Sequence, residues 1–296
     1  MNFMVVSPAP GAPSPFAPRD ADARALPAGL ADELSALLGG TPSVDAPHRA
    51  RWRAPDADDA TCERAVTLSV DAGCDAAWLP PLSLSDFSVL AMDMDSTLIG
   101  IECVDEIADF AGRKAEVAAI TEAAMRGEIT DYEESLRRRV ALLEGLPESA
   151  LQRVLDERLR LNPGAQALVE AAHAAGLRTL LVSGGFTFFT DRMQARLGLT
   201  RARSNVLEIV DGRLTGRLLG EVVDARAKAE TLAAFCDELG VPPSRAIAVG
   251  DGANDLKMMG ISGLSVAYHA KPVVAAQCRV AIRHGGLDTL LAWLEA

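Results

Sequence analysis

The sequence has few cysteines and histidines, and neither set is arranged as a metal site or a disulfide framework. The five cysteines are odd in number and scattered, without the spacing of metal ligands (Cys62, Cys74, Cys103, Cys236 and Cys278). The four histidines also lack partners at ligand spacing, so we expect them to be structural or exposed. This usage predicts reduced thiols and a cytoplasmic location, because disulfides persist mainly in oxidising compartments.

Long hydrophobic runs and an excess of positive charge are also missing. No window reaches the roughly 18 uninterrupted apolar residues of a membrane span, and Met1-Asn2-Phe3 lacks the basic start of a signal peptide. The formal net charge of −12 disfavours general binding to nucleic acid or to anionic membranes. We therefore expect neither as a partner, and an anionic substrate would need a locally positive site.

Three common nucleotide-binding or metal-binding loops are absent as well. The chain has no Walker-type Gly-Lys-Ser/Thr loop, and a dinucleotide fingerprint would need glycine where Asp255 stands. A calcium loop that began at Asp93 would need glycine at its sixth position and glutamate at its twelfth. The chain has Leu98 and Val104 there, so this alternative fails.

The N-terminal part of the chain has a different pattern from the rest. Residues 7–20 are rich in proline and small residues, which predicts an extended or mobile segment. The apolar spacing from Leu26 to Leu38 predicts a short amphipathic helix, and the alternation in Ala65–Val70 predicts a strand. We expect residues 1–84 to form a small α/β accessory domain of unknown role, with Pro80-Pro81 as a linker.

Residues 85–296 alternate between strand and helix patterns, which predicts an α/β fold with a parallel sheet and helices on both faces. The first strand is predicted at Phe87–Ala91, and a purely helical pattern follows over about 102–161. Because this block interrupts the alternation, we expect it to be a helical cap inserted over the crevice. The later elements are predicted as helix 164–175, strand 178–182, helix 186–197, a hairpin at Asp211-Gly212, helix 225–239, strand 246–249, helix 253–259 and strand 264–267.

Asp93 and Asp95 directly follow the first predicted strand, in Met92-Asp93-Met94-Asp95-Ser96-Thr97. In an open α/β sheet the ligand crevice lies outside the carboxyl ends of the strands. Two carboxylates there could share a hard cation such as Mg²⁺, and one of them could attack an electrophile. With Mg²⁺, the Asp93 carboxylate and a backbone carbonyl near Asp95 would supply oxygens. The alternative is an ordinary turn in which aspartates bond to nearby amides.

Three further motifs could supply phosphate and metal ligands. Ser183-Gly184-Gly185 follows a strand, where exposed amides at a helix start suit phosphate, although a tight turn would explain the glycines equally. Lys228 lies on a predicted helix, where lysine is usually a solvated surface group. In Gly250-Asp251-Gly252-Ala253-Asn254-Asp255, Asp251 would emerge beside the first aspartates, and Asp255 could hold metal-bound water or orient Lys228. The ordered set predicts phosphoryl chemistry through an aspartate nucleophile.

From about Phe87 to the C-terminus, these motifs resemble those of the haloacid dehalogenase superfamily of phosphatases. The resemblance is specifically to the branch that hydrolyses O-phospho-L-serine to L-serine and phosphate, the last step of L-serine biosynthesis. It implies a Rossmann-like core, a helical cap, Mg²⁺ as cofactor and an aspartyl-phosphate intermediate. It is also compatible with a homodimer, on which the sequence itself is silent.

The resemblance further implies roles for individual residues. Asp93 would be the nucleophile and Asp95 the acid/base, and both would hold the metal together with Asp251. The positions that match phosphate-binding residues are Ser183, Gly184, Lys228 and Asn254.

Glu102 and Arg139 match the two residues that would select an amino-acid ester. By resemblance, Glu102 meets the substrate ammonium and Arg139 its carboxylate, which arginine binds through a bidentate fork. The segment Ile129–Tyr132 is one residue longer than usual, which favours Arg139 over Arg138. The alternatives are a helix-start carboxylate for Glu102 and a solvated helix face for Arg139.

Three other functions remain compatible with the sequence. The first is a phosphatase or phosphotransferase of the same fold that acts on another small phosphomonoester. The second is a non-catalytic phosphate-sensing module with residues 1–84 as its interaction part, although a binder needs no nucleophile. The third is a dehalogenase, which ranks last because it would have little use for a second aspartate and a metal site.

Overall fold

The computed structural model describes residues 2–8, 26–46, 49–54, 57–125, 129 and 131–294, and these contain two β-sheets. The strands are β1 (Phe3–Pro8), β2 (Ser43–Ala46), β3 (Arg49–Arg53), β4 (Cys74–Leu79), β5 (Val89–Met92), β6 (Arg178–Phe186), β7 (Arg201–Val210), β8 (Arg213–Leu219), β9 (Ala246–Gly250), β10 (Leu264–Tyr268) and β11 (Val280–Ile282).

Helices cover the faces of both sheets and fill the segment between β5 and β6. They are α1 (Leu30–Leu38), α2 (Asp59–Asp71), α3 (Cys103–Phe110), α4 (Lys114–Met125), α5 (Tyr132–Ala141), α6 (Ser149–Arg153), α7 (Ala165–Ala174), α8 (Thr187–Leu197), α9 (Ala225–Glu238), α10 (Leu256–Ile261), α11 (Pro272–Ala275) and α12 (Thr289–Trp293). Within the described residues, no helix is both long enough and apolar enough to cross a bilayer.

The first sheet is antiparallel, with strand order β2-β3-β1-β4, and two helices pack on one of its faces. Its β-α-β-β-α-β connectivity is that of the ferredoxin-like motif. The amphipathic helix predicted at residues 26–38 is confirmed as α1. Ser7 and Pro8 of the proline-rich segment belong to β1, whereas residues 9–20 lie outside the described residues.

The strand predicted at Ala65–Val70 is wrong, because these residues form the second half of α2. Asp58 begins this helix by accepting a hydrogen bond from the Thr61 backbone N–H at 2.8 Å. The buried residues are Cys62, Ala65 and Ser69, which are spaced at helical intervals of three and four. The alternation was therefore incidental, since the face that packs on the sheet follows the period of a helix.

The second sheet has the order β11-β10-β9-β5-β6-β7-β8 and is parallel except for the edge strand β8. Apolar side chains are buried on both of its faces, which confirms the predicted α/β fold. The first strand, β5, lies in the middle of the sheet, and later strands are added on both sides of it. A crevice at the carboxyl end of such a strand is the expected ligand site.

The segment between β5 and β6 consists of α3 to α6, which confirms a helical insertion after the first strand. The loop between α5 and α6 of this insertion contacts the edge of the sheet. Gly145 N–H donates to the Leu214 carbonyl at 2.8 Å, and Leu214 N–H donates to the Leu146 carbonyl at 2.8 Å. The hairpin of β7 and β8 therefore supports the far side of the cap.

The two sheets share one hydrophobic cluster. Phe3, Val5, Ala77 and Leu79 of the small sheet belong to the same buried cluster as Trp293 of α12. The division of the chain at residue 84 therefore stays a prediction about domains, since the apolar core itself is continuous across it.

Asp75 on β4 joins the two sheets through hydrogen bonds. Its fully buried carboxylate accepts from the backbone N–H groups of Arg283, His284 and Gly285, which follow β11, at 2.6–3.2 Å. Buried N–H groups that lose their acceptor retain the full cost of desolvation.

We expect Asp75→Ala to lower the free energy of unfolding by about 3 kcal/mol, because three N–H groups, including that of buried Gly285, would lose their partner. Urea denaturation followed by circular dichroism measures this change. Asp71→Ala, at an exposed aspartate at the end of α2, is the matched control and should change stability by less than about 0.5 kcal/mol. Equal effects of the two variants would contradict the proposed role of Asp75.

Candidate active site

The carboxyl ends of three adjacent strands bring the predicted motifs together. Asp93 follows β5, Ser183 lies near the end of β6, and Asp251 follows β9. The Asp93 backbone N–H donates to the Val249 carbonyl at 3.0 Å, which continues the ladder between β5 and β9. Residues far apart in the chain thus meet because the strands that precede them are neighbours in the sheet.

A cavity of about 150 Å³ opens at this edge of the sheet, between it and the cap. It is lined by eight of the ten predicted site residues: Asp93, Asp95, Glu102, Arg139, Ser183, Gly184, Asp251 and Asn254. The other two, Lys228 and Asp255, lie fully buried beneath it. The structure therefore places all ten in one site.

Lys228 is not the solvated surface lysine that its helical position would suggest, since its side chain is 0% exposed. Its Nζ lies 2.8 Å from Asp93 Oδ1 and 2.7 Å from Asp255 Oδ1. Burial acts to lower the pKa of Lys228, but the charges of Asp255 and Asp93 outweigh it and raise the pKa above its ordinary value. The lysine therefore stays cationic and holds two carboxylates in place.

Three carboxylates, those of Asp93, Asp251 and Asp255, have oxygens within 4.8 Å of one another. Burial and then the charge of Asp255 raise the pKa of Asp93, while Lys228 opposes them. Burial and then Asp255 raise the pKa of Asp251 to about 7. One lysine does not balance three carboxylates, and oxygen donors at this spacing suit a hard divalent cation. The donor set therefore fits a metal ion.

The Asp95 side chain lies outside this carboxylate cluster and faces the cavity beside the cap. Its Oδ2 accepts from the Cys103 backbone N–H at 3.3 Å, and its buried Oδ1 has no hydrogen-bond partner among the residues that the structure describes. Burial, followed by the charge of Glu102, raises the pKa of Asp95 to about 8. At neutral pH this carboxyl group holds a proton, which suits a general acid. A contribution of Asp95 to the metal stays a prediction.

The turn after Asp93 is held by Asn162, a residue that sequence analysis did not assign to the site. Ser96 has φ of 57°, in the left-handed region that residues other than glycine rarely adopt. The Asn162 side-chain amide donates to the carbonyls of Ser96, Thr97 and Ile99 at 2.8–3.3 Å. Its only sequence signal is its place directly before Pro163, between the cap pattern at 102–161 and the helix predicted at 164–175.

The chain entering the cap pairs with the chain leaving it. Gly100 N–H donates to the Arg160 carbonyl and Asn162 N–H to the Leu98 carbonyl, both at 3.0 Å. Ile99 and Leu161 form an antiparallel bridge between these two hydrogen bonds. We call this pair of segments, residues 98–100 and 160–162, the cap ribbon.

Residues 183–185 form an irregular loop within the end of β6, where its pairing with β7 shifts register. The Ser183 hydroxyl accepts from Gly185 N–H at 2.8 Å, and a Cβ on Gly184 would collide with the Tyr132 hydroxyl. Asn205, which sequence analysis missed, donates to the Gly184 carbonyl at 2.7 Å and accepts from Val223 N–H at 2.8 Å. It connects this loop to the segment before α9, which carries Lys228.

The opposite wall of the cavity comes from the cap, through Glu102 and Arg139. Glu102 precedes α3 but makes no capping bond to it, and instead accepts from the Ser96 hydroxyl at 2.7 Å. Burial raises the pKa of Glu102, although the Ser96 hydrogen bond and Arg139 oppose the shift. A cationic and an anionic group therefore face the same cavity.

The register of α5 directs only one of its three consecutive arginines to the cavity. Arg137 pairs with Glu133 and Arg138 pairs with Glu134, both on the exposed side of the helix. Arg139 lines the cavity and donates from Nε to the Ser135 carbonyl at 3.4 Å. This geometry agrees with the predicted choice of Arg139 over Arg138.

Comparison with known proteins identifies the class to which this fold and site correspond. The model of the haloacid dehalogenase-like hydrolase family matches residues 90–260, more than half of the chain. The chain belongs to the haloacid dehalogenase-like hydrolases.

Within this class, the chain is similar to phosphoserine phosphatases. It is 64% identical to "Phosphoserine phosphatase" of Polaromonas sp. over 216 residues, which cover 72% of this chain and 92% of that one. Its structure resembles a probable phosphoserine phosphatase from Vibrio cholerae, with a TM-score of 0.78, 36% identity and coverage of 99% of this chain and 86% of that chain. It also resembles a HAD family hydrolase from Salmonella enterica serovar Typhi, with a TM-score of 0.84 and 30% identity. That match covers 99% of this chain and 98% of the other.

Proposed function

We propose that the protein is a phosphoserine phosphatase, which hydrolyses O-phospho-L-serine to L-serine and phosphate. The observation that carries this proposal is one cavity with two chemically different walls. Asp93, Ser183 and Asp251 lie on the sheet side, and Glu102 and Arg139 face them from the cap. The first wall suits a phosphoryl group, and the second suits the ammonium and carboxylate of an amino acid. The high identity to phosphoserine phosphatases supports the same substrate.

In this mechanism Asp93 attacks the phosphorus atom and the bond to the serine oxygen breaks, which leaves an aspartyl-phosphate. Lys228, 2.8 Å from Asp93 Oδ1, keeps the nucleophile oriented and offsets the negative charge of the phosphoryl group. Asp95 donates its proton to the departing serine oxygen and then takes a proton from the water that hydrolyses the intermediate. The carboxyl group of Asp95 suits both steps, because its pKa of about 8 lies near neutrality.

We further propose Mg²⁺ as the metal, held by Asp93 and Asp251, with Asp255 close enough to bind a coordinated water. When bound, the ion would neutralise charge on the phosphoryl oxygens. Asp255 is already engaged by Lys228 and by the Gly252 N–H at 3.0 Å, so its direct part in binding is secondary.

Addition of Mg²⁺ should raise the melting temperature of the protein even without substrate. Binding to the folded state alone contributes about 2.7 kcal/mol when the free ion is present at about 100 times its Kd. Asp251→Asn should lose most of this shift, since it removes one charged oxygen ligand. Scanning fluorimetry of both proteins, with Mg²⁺ and with EDTA, measures the effect. Equal shifts in the two proteins would rule out the proposed ligands.

Arg139 should decide between phosphoserine and esters that lack a carboxylate. We expect Arg139→Ala to lower kcat/KM for phosphoserine by about 10- to 100-fold, which is the loss expected when a charge-assisted hydrogen bond to the substrate is removed. Activity on phosphoethanolamine, which has no carboxylate, should stay nearly unchanged. Arg138→Ala, beside it but on the exposed face, is the matched control. A similar loss on both substrates would show that Arg139 does not read the carboxylate.

The function is tested by measuring phosphate released from O-phospho-L-serine, with Mg²⁺ and with EDTA. We expect a higher kcat/KM for phosphoserine than for phosphothreonine or phosphoethanolamine, and loss of turnover in EDTA. Preference for a phosphomonoester without amino-acid groups would favour another phosphatase of this family. No turnover of any phosphomonoester would favour a phosphate-binding module.

Light scattering on the same sample tests the predicted homodimer.

A further inference from the structure

Tyr132 lines the substrate cavity although no motif pointed to it. It is the first residue of α5, and its ring packs against the main hydrophobic cluster. A partly buried phenol normally finds a hydrogen-bond partner for its hydroxyl group, and a ligand in the cavity that Tyr132 lines could supply one.

Three residues on one face of α5 span the cavity. Tyr132, Leu136 and Arg139 are spaced by four and three residues and all line it. Seven residues of helix correspond to about 10.5 Å along the axis. Arg139 and Tyr132 therefore enter the cavity from opposite ends of this helical face, which places them to contact different parts of a ligand.

The end occupied by Tyr132 is the phosphate end. Its hydroxyl oxygen lies against Gly184, at the position that a side chain on that glycine would occupy. The charges that act on the phenol include Lys228, Arg139 and Asp93. Burial raises the pKa of Tyr132 to about 12, so the hydroxyl keeps its proton and can donate throughout the neutral range.

We propose that the Tyr132 hydroxyl donates a hydrogen bond to the phosphoryl group of the substrate from the cap side. This inference rests on the proposed function, which defines the substrate whose phosphate it contacts. The sheet side offers Gly184 and Lys228 to the same group, so phosphate would be bound by both walls of the cavity. Because Tyr132 and Arg139 lie on one helix, α5 contacts the two ends of phosphoserine at once and favours ligands of that length.

The test compares Tyr132→Phe with the wild type, because this change removes only the hydroxyl oxygen and keeps the ring. We expect kcat/KM for phosphoserine to fall by about 10- to 100-fold, as for loss of a hydrogen bond to a charged group. The inhibition constant of inorganic phosphate should rise by about tenfold, while that of L-serine should stay within about twofold. Tyr268→Phe, at the only other tyrosine, is the control and should change none of these values.

The pair of inhibitors separates hydrogen bonding from a structural role. If both inhibition constants rise together, the ring positions the cap and the proposal is overturned. The proposal is also overturned if kcat/KM and the phosphate constant stay within about twofold of the wild type. Should the wild type fail to hydrolyse phosphoserine, the proposed function fails separately. Calorimetric titration of inorganic phosphate into Tyr132→Phe and wild type then decides the role of the hydroxyl, with weaker binding supporting it and equal binding overturning it.

Discussion

Asp93→Asn is expected to lower kcat for phosphoserine by about 10⁴-fold or more, the scale of losing a catalytic nucleophile. Asparagine keeps the size of the side chain but removes the anionic oxygen that forms the covalent bond. Stability should not fall in parallel, because the carboxylate is buried and its pKa is raised, so its charge is unfavourable in the folded protein. Steady-state phosphate release and thermal melting in EDTA measure the two effects.

An exposed aspartate provides the matched control. Asp237→Asn, near the end of α9, should leave both activity and melting temperature unchanged. Acid-quenched wild-type enzyme should carry phosphate on the peptide that contains residue 93, and Asp93→Asn should not. Near-normal turnover by Asp93→Asn, or phosphate trapped on another peptide, would exclude this residue as the nucleophile.

Lys228→Met is expected to have the largest effect on stability, together with a loss of activity of about 10³-fold. Removing one partner of a buried ion pair costs about 3–5 kcal/mol, because it leaves an uncompensated charge. Here Asp93 and Asp255 would lose the ammonium group that lies 2.8 and 2.7 Å from them. Urea denaturation in EDTA measures the loss, and Lys257→Met, at an exposed lysine on α10, is the control.

The loss of stability caused by Lys228→Met should also depend on pH. The pKa of Asp93 is raised in the folded protein, so the folded state holds this proton more readily than the unfolded chain does. Stability should therefore increase as pH falls from about 8, the raised pKa of Asp95, to about 5, and more so when the lysine is absent. A deficit that is constant over this range would show that repulsion between the carboxylates is not its cause.

The main sheet could be predicted because its strands are continuous apolar runs and its helices are bounded by clear breaks in the sequence pattern. The site followed from the same pattern, since parallel strands bring their carboxyl ends to one edge. Asp93 and Asp251 therefore converge, although they are 158 residues apart in the sequence. Lys228 was a weak prediction from its helix alone, and only the order of the motifs distinguished it from a surface lysine.

The residues that sequence analysis missed act through long-range contacts or lie at short elements. Asn205 joins Gly184 to Val223, and nothing in its local sequence marks it as a link between them. β11 has only three residues, too few for a periodic pattern. In α2 the alternation over Ala65–Val70 favoured a strand, but tertiary packing of Cys62, Ala65 and Ser69 prevailed. Tyr132 was noted only as part of the cap segment used to place Arg139.

The cap ribbon restricts how the cavity can open. A cap that is joined to its core by two segments without hydrogen bonds between them can twist and slide in several directions. Here hydrogen bonds at 3.0 Å join the two connections, and Asn162 fixes one of them to the turn that follows Asp93. Any movement of the cap that keeps these hydrogen bonds is therefore limited to rotation about the ribbon, and the hydrogen bonds that join Gly145 and Leu146 to Leu214 oppose it on the far side.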